Sequence, residues 1–142
     1  MNAMAATRPT GLHQRRVRLV REPAAAGEAR SHLRAAIRGW QVPVDPDVAI
    51  LLASDLVTNA ITHGAGATVT LAVRCSRGQL RVDVYDASRS LPPAGGGPDD
   101  TEAGPGLALV AILADEWGVF RTPAGKAVYF ALTFQAGLAG EP

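Results

Sequence analysis

A chain of 142 residues suits one domain and is long enough to bury its own core without a covalent staple. A formal net charge of +1 gives no electrostatic case for nucleic acid or a membrane surface, and the single Cys75 excludes both an internal disulfide framework and a cysteine metal cluster. No apolar run approaches the roughly 20 residues of a membrane span, and the N-terminus lacks the apolar centre of a signal peptide, so a cytoplasmic protein is expected.

In chain order, residues 1–13 read as a flexible leader. Arg16 to Arg21 alternates basic and apolar residues (Arg16, Val17, Arg18, Leu19), the pattern of a short edge strand. Pro23 to Trp40 reads as a helix, with Pro23 suited to its start and Gly39 to its end, and with Leu33, Ala35, Ile37 and Trp40 as its apolar surface. Val42 to Pro46 is a linker whose Asp45 is a good N-cap, followed by Pro46 in the first helical turn. The helix it opens is the most informative stretch of the chain. Leu52, Leu56 and Ala60 make one apolar stripe, and Ala53, Val57 and Ile61 make another, so most of the circumference is apolar and the helix is expected to be buried. Yet Asp55, Asn59 and His63 fall at i, i+4 and i+8 on one face. Burying an amide unpaired costs roughly 2–7 kcal/mol, so the acid and amide call for partners. Either a ligand or metal supplies them, or the neighbouring backbone does. His63 stands beside Gly64, where an imidazole interacts with the C-terminal helix dipole.

Thr68 to Arg74 and Gln79 to Asp86 both alternate, joined by Ser76-Arg77-Gly78 in a hairpin. Leu80, Val82 and Val84 share one face of the second strand, and the same parity places Asp86 with them, a carboxylate aimed at the buried side. Residues 87–105, rich in Pro, Gly and Asp, carry no apolar period and read as a long loop of lid or binding type. Gly106 to Trp117 returns to helix, with Leu107, Val110, Ala111 and Leu113 or Ala114 inward and Gly118 closing it. Val119 to Arg121 and Lys126 to Phe134 form a last hairpin, and residues 136–142 a frayed tail. Grouped strands with helices between them predict an α+β fold: a two-layer sandwich, a mixed or mainly antiparallel sheet under one layer of helices.

The loop enters its helix through Gly104-Pro105-Gly106-Leu107. Glycines admit close backbone approach, and a helix N-terminus suits phosphate. It is no Rossmann fingerprint, because Leu109 stands where the third glycine belongs; nor is Gly125-Lys126 a P-loop, because Phe120 and Ala127 occupy required positions. Taken together, Asp55-Leu56-Val57-Thr58-Asn59-Ala60, Val84-Tyr85-Asp86, Gly104-Pro105-Gly106-Leu107, Trp117-Gly118 and Gly125-Lys126-Ala127-Val128 resemble the ordered motifs of the GHKL, or Bergerat-fold, ATPases. Within them, the chain looks like the small anti-sigma-factor serine kinases of the RsbW and SpoIIAB type, over roughly residues 15–134.

The resemblance implies ATP and Mg²⁺ as cofactors. It matches Asn59 to the magnesium-binding asparagine, Asp55 to the general base, and Asp86 to the aspartate that accepts from the adenine amino group. Gly104 and Gly106, with Leu107 beside them in the motif, match the ATP-binding glycines under the lid, and residues 87–103 match the lid itself. It further implies a homodimer whose partners are a sigma factor and a small, STAS-like anti-anti-sigma protein, with no direct contact to nucleic acid or membrane. Four positions depart from the family pattern. Asp55 is one methylene shorter than the usual glutamate, Ser88 replaces a glycine, Ala127 a threonine, and Pro105 a frequent arginine. The alternative to a kinase is a non-catalytic protein-binding module gated by ATP.

Overall fold

The computed structural model describes residues 12–90 and 106–135. Eight elements follow in order: β1 (His13–Val20), α1 (Ala24–Trp40), α2 (Pro46–His63), β2 (Thr68–Ser76), β3 (Gln79–Asp86), α3 (Gly106–Leu113), β4 (Glu116–Thr122) and β5 (Gly125–Thr133). The five strands make one sheet of order β1-β2-β3-β5-β4, antiparallel at every pairing. Helices cover one face, so the expected two-layer α+β sandwich is the observed fold.

Alternation does the layering. Leu19, Val69, Leu71, Val73, Leu80, Val82, Val84, Phe130 and Leu132 point to the helices and are buried. Against them lie Leu33 and Ile37 of α1, Leu52, Ala53, Leu56, Val57 and Ala60 of α2, and Leu107 and Val110 of α3. Helix α2 is the central one, packed between α1 and α3 and over the sheet, which is why both of its apolar stripes are used. Its start is held as expected: the Asp45 carboxylate accepts from the N–H groups of Asp47 (3.0 Å) and Val48 (3.5 Å). Asp45→Ala is expected to lower stability by about 1 kcal/mol in urea unfolding.

Several boundaries differ from the sequence expectation. The first strand begins at His13, inside the stretch read as leader; residues 1–11 and 136–142 lie outside the described residues. Gly39 does not end α1. The chain turns at Gln41, which takes a left-handed conformation (φ 55°) and donates to Arg38 and Ile37 carbonyls. The largest difference is α3, which stops at Leu113 rather than Trp117. Trp117 pairs with Phe130 in the sheet, and Asp115 ties the junction to β5: its N–H donates to the Ala131 carbonyl (3.0 Å), and its carboxylate accepts from the Thr133 N–H (2.7 Å). Gly118 is therefore a strand residue, with the Tyr129 ring filling the space a side chain would take. Of Leu113 and Ala114, offered as alternatives for the inward position, Ala114 packs against the core and Leu113 is exposed, as are Leu109 and Ile112.

The sheet's other face carries a separate cluster. Phe120 meets Tyr85 in a T-shaped contact and lies tilted against Tyr129, with the Arg16 guanidinium 4.9 Å over Tyr85 and that of Arg81 3.9 Å over Tyr129. Arg81 also clamps Asp83 through two bonds of 2.9 and 3.0 Å. A groove of about 440 Å³, lined in part by Arg16, Arg18, Thr68, Thr70 and Tyr85, opens on this face. No helix among the described residues is long and apolar enough to cross a membrane.

Candidate functional site

Parity at the end of β3 delivers Asp86 to the helix side, where its carboxylate is 1 % exposed. Three contacts fix it. Oδ1 accepts from the Ser88 N–H at 2.7 Å. Oδ2 lies 3.2 Å from Nζ of Lys126, the residue directly across from Asp86 on β5, whose side chain is 6 % exposed. The third is Gly64, the C-cap of α2: a Cβ there would lie 2.8 Å from Asp86 Cγ and 2.9 Å from Oδ2, and closer still to the Ala60 carbonyl oxygen. Glycine is thus what lets the end of α2 rest on the carboxylate. Oδ2 is charge-paired with Lys126, yet no donor among the described residues meets it in hydrogen-bond geometry.

The surrounding backbone is braced. The Ala87 N–H donates to the Ala65 carbonyl (2.9 Å), and Arg21 reaches over from the end of β1 to donate to the Ile61 and Gly66 carbonyls (2.5 and 2.7 Å). Gly125 packs against the Asp86 carbonyl and Ala87 so closely that a Cβ would collide with both.

Back along α2, about 13 Å from Gly64 at the helical rise, lies Asp55. It is half-buried, and its Oδ2 is fully covered with no hydrogen-bond partner among the described residues. Desolvation by burial raises its pKa above the ordinary 3.8. Asn59, one turn on, is buried at 6 % exposure. His63 is exposed at the helix end, apart from the buried pair. Among the described residues no group of three or more His, Cys, Asp or Glu is placed to hold a metal. The structure thus brings Asp55 and Asn59 onto one helix whose end touches Asp86. Gly106 opens α3 and Leu107 is buried in the core, while Gly104 and residues 91–103 of the expected lid lie outside the described residues.

The model of the histidine kinase-like ATPase domain family matches residues 19–132, most of the chain. This chain belongs to that family. The match runs from β1 to β5 and so includes Asp55, Asn59, Asp86 and Lys126. Membership implies nucleotide use by this ATPase domain. No curated protein matches it.

The fit of a nucleotide to the residues present rests on this chain's own features. Asp86 Oδ2 has acceptor capacity left, Gly64 and Gly125 remove side chains from its surroundings, and Asp55 Oδ2 is an orphaned buried acceptor. Two contributors were missed in the sequence. Lys126 stands in the sequence as a member of the Gly125-Lys126-Ala127-Val128 motif with no role of its own, although the parity that turns Asp86 inward turns Lys126 inward too. Gly64 was read only as a helix end.

Proposed function

We propose that this ATPase domain binds ATP with Mg²⁺ and works as a cytoplasmic anti-sigma-type regulator. In this reading it is a serine/threonine protein kinase that phosphorylates a small anti-anti-sigma partner, and as a homodimer it sequesters a sigma factor. The observation that carries the nucleotide part is the buried Asp86 carboxylate, held against a glycine at the end of the helix that also bears Asp55 and Asn59. Asp86 accepts from the adenine amino group. Asn59 offers the hard amide oxygen suited to magnesium, which takes few protein ligands and keeps several waters. Mg²⁺ at that amide would offset charge on the phosphates. Asp55 receives the proton of the partner hydroxyl; burial raises its proton affinity, as a general base requires.

Support for a protein partner comes from the sheet's open face. Arginine, tyrosine and phenylalanine gather there, the residue types enriched at interfaces, and Arg16 and Arg18 are in no ion pair among the described residues. The second reading, an ATP-gated binding module without transfer, is favoured by the short reach of Asp55 and the covered position of its Oδ2.

γ-Labelled ATP with candidate partner proteins separates the two. Asp55→Asn is expected to leave ATP affinity unchanged and to lower label on partner serine or threonine by about 10²- to 10⁴-fold. Wild-type protein that binds ATP and labels no partner leaves the binding module. The same variant has a stability signature. Folding raises the Asp55 pKa, so its ionised form opposes folding once the pH exceeds the folded value, and the penalty vanishes well below 3.8. Asp55→Asn is therefore expected to gain stability over wild type at about pH 7 and to lose that advantage at about pH 3, measured by urea unfolding at each pH.

A further inference from the structure

Lysine is among the residues least often buried, and only partnered lysines are found deep in proteins. Lys126 is 6 % exposed, and its partner is the carboxylate assigned above to the adenine amine. The two groups are chemical opposites: an ionised carboxylate only accepts hydrogen bonds, and an ammonium only donates them. Their register across β3 and β5 sets them side by side, 3.2 Å apart. Ser88 occupies Oδ1, Gly64 abuts the carboxylate, and Gly125 abuts the Asp86 backbone, so the acceptor cannot trade places with the donor.

We propose that Lys126 is a second base-reading residue, donating to N1 of adenine while Asp86 accepts from the neighbouring exocyclic amine. The inference rests on the nucleotide-binding reading and deepens it. An acceptor beside a donor is the complement of adenine, whose C6 amine donates and whose N1 accepts. Guanine reverses both, with a carbonyl at C6 and a proton on N1, so it sets acceptor against carboxylate and donor against ammonium. A site built to hydrogen-bond a group rejects the analogue that lacks it, because its own buried polar group is left unmet. The Lys126 ammonium supplies a charge-assisted bond of the stronger kind, at the ring nitrogen next to the amine that a lone aspartate reads.

Calorimetric titration of the wild-type chain with ATP, GTP and 1-deaza-ATP, whose N1 is replaced by C–H, tests this. ATP is expected to bind about 10- to 100-fold more tightly than 1-deaza-ATP, the worth of one hydrogen bond to a charged group, and GTP is expected to bind more weakly than ATP. In Lys126→Met the penalty for 1-deaza-ATP is expected to shrink to about twofold or less, as a double-mutant cycle on one bond requires. Wild-type protein that binds ATP and 1-deaza-ATP alike overturns the role of Lys126 and leaves the nucleotide site standing, and this arm needs no variant to fold. Wild-type protein that binds no ATP removes the site reading and this proposal together.

Discussion

Lys126→Ala is expected to lower unfolding stability by about 3–5 kcal/mol, a large share of what a domain of this size has. The reason is the company Lys126 keeps. Its ammonium is the only cation within 4 Å of the Asp86 carboxylate among the described residues, and that carboxylate is 1 % exposed. Removing the cation leaves a buried charge whose remaining partner is the Ser88 N–H on Oδ1, with Oδ2 uncompensated, and that desolvation destabilises the fold. Urea unfolding near neutral pH reads the effect. The paired control is Asp86→Leu with Lys126→Met, which replaces both charges by apolar side chains and is expected to recover most of the loss. A single variant that loses under about 1 kcal/mol would place the pair in a wetter setting than its burial indicates.

The second large effect is at Gly64. Adding one methyl group there puts a carbon against the Ala60 carbonyl and within 2.9 Å of the Asp86 carboxylate. Neither neighbour has room to withdraw: the Ala60 carbonyl already accepts the N–H of Gly64 at 3.0 Å, and Asp86 is held by Ser88 and Lys126. Gly64→Ala is expected to cost about 1–3 kcal/mol in stability through overpacking and to weaken ATP binding by at least about tenfold, since roughly 1.4 kcal/mol of misplacement at the base suffices. Gly39→Ala is the control. A Cβ there meets nothing within 4 Å, and the residue lies inside α1, so that variant is expected to gain about 0.5–1 kcal/mol. Both are read by thermal or urea unfolding with a parallel ATP titration.

The parts of this fold that were legible in the sequence are those where one period runs unbroken. Alternation through β3 gave its bounds and the inward turn of Asp86, and the doubled apolar stripe of α2 gave its burial. Where two signals met, sequence alone chose wrongly. Residues 106–117 read as one helix because the run is apolar and a glycine follows it, but Trp117 pairs with Phe130 and Gly118 makes space for Tyr129, contacts set by a strand that comes later in the chain. Gly39 was the natural helix stop, yet Gln41 takes the left-handed turn. At the site, the acidic and amide residues stood out by type, whereas Lys126 and Gly64 gain their meaning only from what lies opposite them, Asp86 in both cases.

The strand order has a consequence for synthesis. Among the described residues β5 follows every other strand in the chain, and it inserts between β3 and β4 rather than joining at a border. Until it emerges from the ribosome, β3 presents an unpaired edge, Asp86 has no counter-ion, and Phe130 is missing from the core. Such long-range pairing is slow to nucleate. A polypeptide that has not yet added β5 therefore exposes a sticky border and leaves the Asp86 carboxylate without its counter-ion.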